Sequence, residues 1–401
     1  MVEYNPFWDH VIDDPWPTYA RMRAESPACY VEELDGWAIS RHTDITKISM
    51  DRENYTIAKG STLTSLATPP GENRGMDVPL RMFMQMDPPE HTTFRAILSP
   101  HFTPRKFQHV EPVIREIVSH YLEPLLEQRR FDSVVDLARI VSTHVTCTLL
   151  GLPTEDAGTI RDFVTRCQPY IHDRPPRTPE EVAEASAGMA DLAGYVTECV
   201  AKRRSSGAEA DDIMQAFLMA EPQGRALSDI EIGVHLTGLV IGGIETLPKH
   251  FGSVMYWLHH FPDQRAKVVA NPDLIKGAVE ETLRYDAPTH VLGRRVVNEV
   301  ELHGEKLRPG QPVLLLYASG NRDDTEFEDP DTFDVERRPG RIVTFGAGIH
   351  LCMGLHIARL ESRLMLEGIL RAAPEYEVGS GVERCRLAGI HGFDAVPISF
   401  D

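Results

Sequence analysis

"TFGAGIHLCMG", residues 344–354, sets Gly346, Gly348 and Gly354 around a single cysteine, Cys352. Glycines permit positive φ and let a backbone approach another group closely. A lone cysteine is ordinarily a small, inert core hydrophobe. That accounts for the thiol but not for the permissive backbone around it. A loop that turns several N–H groups towards one sulfur stabilises its thiolate. Residues 355–371 read as a helix, whose N-terminal end adds positive partial charge at the same place.

A sulfur anion beside Phe345 on an apolar wall calls for a metal. Zinc needs more ligands: His350 and His356 flank Cys352, but no second cysteine sits close by. The spacing G-x-G-x-x-x-x-x-G does not suit a dinucleotide loop. A single thiolate as axial ligand of a haem iron fits, because the porphyrin supplies four further ligands.

Outward from this loop the chain reads as mostly helical. Amphipathic stretches cover 106–127, 131–150, 179–204, 211–220, 228–260, 272–286 and 354–371. Short strand-like runs occur within 30–58, within 293–317 and at the C-terminal "AVPISF". "HDRPPRTPEE" (172–181) reads as a loop, and 321–341 as a long polar irregular segment of the kind that carries function. The run 228–260 opens on a capping box, Ser228 with Glu231, and its middle is apolar all round, so it should cross the core. Gly242, Gly243 and Pro248 interrupt it. Pro248 leaves the carbonyl of Ile244 without its helical donor, so an opening is expected beside Glu245 and Thr246.

Composition bounds the rest. The 401 residues are 42% hydrophobic and 25% charged, as in ordinary globular proteins. A net charge of −19 argues against a nucleic-acid partner. The six cysteines form no C-x-x-C pair, which fits a reducing cytoplasm. The N-terminus lacks the apolar core of a signal peptide, and no run reaches about 18 apolar residues, so no membrane association is expected.

F-G-x-G-x-H-x-C-x-G, as it stands at 345–354, resembles the haem-binding signature of the cytochrome P-450 family. Four further motifs follow in the family's order. "DPPEHTTFRAILSPHFTPR" (87–105) is similar to its H-x-x-x-R helix, and "GGIET" (242–246) to its oxygen-activation motif. "EETLR" (280–284) resembles the E-x-x-R motif through Glu281 and Arg284, and the segment 321–339 the irregular stretch before the haem loop. "NPFWDH" and "PWPTYARMRAESP" are similar to bacterial members.

The resemblance implies a mainly α fold, a large helical region with small β-sheets, in one domain over 1–401 with no fused reductase. It implies haem b with Cys352 as thiolate ligand and metal-binding residue, and Phe345 and Gly346 against the porphyrin. His91, Arg95, Arg294 and His350 would hold the propionates, with Arg295 as the alternative to its neighbour. Glu245 and Thr246 would be the catalytic acid–alcohol pair that delivers protons for O–O cleavage, and Gly242 and Gly243 would leave room for oxygen. Leu247 and Pro248 depart from the family, where a second hydroxyl residue often follows the threonine.

Pocket walls are implied around 75–86, at 165–185, at Leu239 and Val240, at 289–292 and near His391 and Phe393. Met82, Phe83, Met84 and Met86 would make an apolar, adaptable wall, or the methionines would simply fill gaps in the core, and His290 or His391 would bond a polar substrate group. The implied reaction inserts one oxygen atom of O2 into a small or medium apolar molecule. Electrons would come from NAD(P)H through a ferredoxin reductase and a ferredoxin, docked on Arg337, Arg338, Arg341 and Arg359. The competing readings are a peroxide-driven haem-thiolate oxygenase or isomerase, a non-catalytic haem-binding protein, and a haem-free structural protein.

Overall fold

One helix, Asp229–His260, organises the molecule, and the N–H of Glu231 donates to the Ser228 side chain at its start. The structure is a computed structural model that describes residues 2–68, 81–173 and 178–401. It is about 59% helical, with small sheets. At 1.5 Å per residue the central helix spans about 48 Å.

The central helix runs through two hydrophobic cores. Its first half, Ile232 to Ile244, packs with Met82, Phe83, Leu192 and Val196. Its second half, Leu247 to Leu258, packs with the C-terminal helix Leu355–Ala372 and with Val279 and Leu283. Glu245 and Thr246 therefore stand at the seam between the cores. The helix is apolar enough to cross a membrane, but 61% of its most apolar window is buried inside the fold.

The expected opening at Glu245 and Thr246 does not occur. The helix continues unbroken through Pro248, and Leu247, Pro248 and Phe251 are all buried. The proline costs about 3 kcal/mol. Burying a side chain such as Leu247 or Phe251 contributes roughly 1.5–3 kcal/mol each, enough to offset it.

Most expected helices form close to their read boundaries: Pro104–Gln128, Pro179–Ser206, Ile213–Leu218, Ile275–Tyr285 and Leu355–Ala372. The run 131–150 instead begins as a strand, Arg130–Asp132, before turning helical. A helix at Ala157–His172 was not expected; Pro169 inside it and the prolines beyond conceal its periodicity. The expected loop 172–181 is shorter than read, since helices end at His172 and begin at Pro179. Its residues 174–177 lie outside the described residues, as does half of the expected wall 75–86, residues 75–80.

The main sheet has five strands in the order Ala28–Val31, Gly36–Ile39, Pro312–Leu316, Val291–Val296, Tyr55–Thr56. Pro312–Leu316 pairs antiparallel with Val291–Val296, which sets Arg294 opposite Val313 and Arg295 opposite Pro312. Arg322 ties the N-terminal helix Trp16–Glu25 to this region. Its guanidinium lies 3.6 Å from the Trp16 ring centre and 3.8 Å from that of Tyr285, and donates to the Tyr285 carbonyl.

Candidate active site

The loop 344–354 is held shut by its own backbone. The N–H of Cys352 donates to the Phe345 carbonyl at 2.9 Å, and that of Gly346 to Val343 at 2.8 Å. Gly346 and Gly348 adopt φ of 69° and 71°. At Gly348 a Cβ would stand 2.6 Å from the Ser49 carbonyl oxygen, so the loop rests directly on the end of helix His42–Met50. Both glycines are thus required by conformation, and the second also by contact.

Cys352 lies deep in the protein, yet its own surface is open. It faces an internal space rather than packed atoms. Burial pushes its thiol up; the N–H groups of Gly354 and Leu355 and the Arg95 and Arg359 guanidinium groups pull it back. Helix Leu355–Ala372 begins three residues on and points its N-terminal end at this sulfur. An anionic sulfur here is favoured once a cation binds it.

Across the molecule, Gly242 is the exposed residue in the middle of the buried central helix. A Cβ there would meet nothing within 4 Å among the described residues. Thr246, one turn further, is partly open, and its hydroxyl donates back to the Gly242 carbonyl at 3.4 Å. Gly243 does not share this space. A Cβ on it would stand 2.5 Å from Thr146 Oγ1, so this glycine serves close packing against helix Arg139–Leu150. Its expected part beside the cofactor is corrected accordingly: adjacent helix positions point about 100° apart.

Four cationic or imidazole groups gather at one side. His91 and His350 have ring centres 4.2 Å apart, and the buried Nε2 atom of each has no hydrogen-bond partner among the described residues. Burial, then His91, Arg294 and Arg95, holds His350 down at about 3. Arg95 donates to the Leu351 carbonyl at 2.7 Å, next to the cysteine. Unpartnered buried donors beside two guanidinium groups suit an anionic group such as a carboxylate. Arg295 points elsewhere. It donates to the carbonyls of Lys59, Ser65, Leu66, Thr68 and Gly310. Strand alternation separates the two arginines, and it is Arg294 that lies with His350.

Glu281 and Arg284 are a buried pair, fully covered, at 2.7 Å. Arg284 also donates to the carbonyls of Asn321, Pro330 and Thr332, and Glu281 accepts from the Asp334 N–H. The irregular segment 321–341 is thereby rooted in the helix that precedes it.

Two expectations look different in place. His290 and His391 are both buried and stack on each other at 3.5 Å, 3° from parallel, so they pack as a pair instead of facing a substrate. Arg337 is spent on Glu281 and on backbone carbonyls, and Arg359 on Glu280 and the face of Phe345. Of the four arginines expected to form a docking face, Arg338 and Arg341 remain exposed. The buried cations Lys249 and Arg322 went unread, although a lysine inside an apolar helix is itself a signal.

Comparison with known proteins agrees with this geometry. The family model described as Cytochrome P450 matches residues 67–373. "Putative cytochrome P450 123" of Mycobacterium tuberculosis strain H37Rv is 35% identical over 392 residues, covering 96% of this chain and 94% of that protein. "Vitamin D(3) 25-hydroxylase" of Pseudonocardia autotrophica is 32% identical over 387 residues, 94% and 90% of the two chains. The crystal structure of the myxobacterial cytochrome P450 CYP267B1 in complex with myristic acid superposes with a TM-score of 0.87 at 30% identity, over 98% of both chains.

Proposed function

The chain belongs to the cytochrome P450 family, and on that premise we propose that it hydroxylates a small or medium apolar molecule with electrons from a ferredoxin. Its activity is that of a haem-thiolate monooxygenase, and its cofactor is haem b. Haem, when bound, supplies the iron at which O2 is reduced and one oxygen atom is passed to the substrate.

The protein's own residues do the rest. Cys352 ligates the iron as thiolate, with the Gly354 and Leu355 amides beside its sulfur. His91, Arg95, Arg294 and His350 hold the propionates, and Phe345 and Gly346 line the thiolate side. Gly242 leaves the space in which oxygen fits. Thr246 positions a proton there, and Glu245, buried one residue before it, resupplies that proton. An apolar substrate is supported by the apolar cluster that Met82, Phe83, Met86 and Val240 form along the first half of the central helix. A ferredoxin is supported by the exposed Arg338 and Arg341 in a chain of net charge −19. Six free thiols fit a reducing, cytoplasmic setting.

One observation carries this reading: the Cys352 sulfur is deep in the protein yet open to an internal space. The expected result is a far-red-shifted Soret band in the reduced protein with carbon monoxide, lost in Cys352→Ser. Survival of that band in the serine variant overturns the assignment. Thr246→Ala should consume NADH while forming little product and releasing hydrogen peroxide; unchanged coupling removes Thr246 from the scheme.

A further inference from the structure

Lys249 is 2% exposed and lies on the central helix, one turn past Glu245, which is equally buried. Residues four apart share one helix face. A buried ammonium costs several kcal/mol unless it is well partnered, so its surroundings matter. Its Nζ stands 3.3 Å from Asp394 Oδ1, on strand Phe393–Ala395, and 3.4 Å from Gln168 Oε1, on helix Ala157–His172. Arg139 Nη2 meets the same Asp394 oxygen at 3.0 Å, and both of those side chains are one-third exposed. The C-terminal segment is seated on the lysine's backbone: a Cβ on Gly392 would stand 2.6 Å from the Lys249 carbonyl oxygen. Burial pushes the Cys385 thiol up, and Lys249, Asp394 and Glu245 all bear on it through their charges.

We infer that Lys249, held by Asp394, is a positioning residue for Glu245, and that Arg139–Asp394–Lys249 is the charged chain joining that carboxyl to the surface. The geometry has a direction: exposure falls from a third at Arg139 and Asp394 to almost nothing at Lys249 and Glu245. Among the described residues the Lys249 ammonium is held by Asp394 and Gln168 and by no group of Gly242 or Thr246; it acts through Glu245. This rests on the reading of Glu245 given under Proposed function.

The experiment compares haem-loaded wild type with Lys249→Met, Lys249→Arg, Asp394→Asn, Glu245→Gln and the K249M/E245Q double variant. Two quantities are read: product formed per NADH consumed, and the urea unfolding equilibrium. K249M and D394N should each lower product per NADH by at least about threefold, K249R should recover most of it, and the double variant should be no worse than E245Q alone. In unfolding, K249M should raise the unfolding constant less in the E245Q background than in wild type, by about threefold or more. Additive unfolding effects together with wild-type coupling in K249M overturn the inference. Wild-type coupling in E245Q overturns the role of Glu245 instead, and the unfolding cycle still decides whether Lys249 positions it. If K249M does not fold, D394N in the same cycle with E245Q gives the answer.

Discussion

The two cores that meet on the central helix are built from different materials. The one shared with the C-terminal helix is bordered by buried ion pairs and hydrogen bonds, in which Arg284 alone makes five hydrogen bonds. The one shared with residues 82–86 is lined by Met82, Met84, Met86, Met189, Met214 and Met353, against Met255 and Met365 in the other. Thioether side chains repack at little cost, whereas a buried ion pair does not. The core shared with the C-terminal helix is thus the rigid side, and the one shared with residues 82–86 the compliant side.

The largest break in this contrast should come from the rigid side. Arg284→Leu leaves the buried Glu281 with Arg337 as its one remaining cation among the described residues and strips the carbonyls of Asn321, Pro330 and Thr332 of a donor, at about 3–5 kcal/mol. The expected outcome is chain that recovers little haem, read by Soret absorbance per protein and by urea unfolding. A stable, fully loaded variant would show that the contrast is wrong.

Acid should act on the compliant side. His235 anchors residue 83: its Nδ1 accepts the Phe83 N–H at 3.1 Å, and burial holds it down at about 4. In the unfolded chain it titrates near 6.5. The unfolded state therefore binds the extra proton between those values. This contribution is fully present above pH 6.5 and is lost as the pH falls towards 4, roughly 3 kcal/mol in all. Urea unfolding at pH 7 and pH 5 should show the loss, with a lower hydrogen-exchange protection factor at Phe83 in acid. A pH-independent protection factor at Phe83 would exclude it.

The smallest and sharpest comparison is between neighbours. Gly243→Ala drives a methyl into Thr146 and should cost about 1–3 kcal/mol by thermal or urea unfolding. Gly242→Ala meets open space and should be neutral or stabilising by up to about 1 kcal/mol, while weakening carbon monoxide binding to the reduced protein. Equal effects of the two would show that the space is absent.

What the sequence disclosed follows from the range of each interaction. The loop around Cys352 was legible because its turns, its thiolate amides and its helix N-terminus lie within about a dozen consecutive residues. Glu281 with Arg284 was legible as a pair, but its complete burial was not, since that comes from residues 321–341 folding over it. Gly243 was misplaced because its neighbour Thr146 is distant in sequence. Arg294 was separated from Arg295 only by the strand that carries them. The helix at Pro248 stayed closed because packing on both sides, invisible in a local propensity, outweighed the proline. The pairing of His290 with His391 and the chain from Arg139 to Lys249 join residues at least a hundred positions apart, beyond what any local pattern records.

Arg322, clasped between Trp16 and Tyr285, has a bearing on how the polypeptide matures. Its neighbour Asn321 accepts the N–H of Val343 and donates to Thr344, at the root of the cysteine loop. The first twenty residues to leave the ribosome must therefore wait for some three hundred more before their partner exists. Closing so long a span is slow, and the iron pocket takes its final shape only after synthesis is nearly complete.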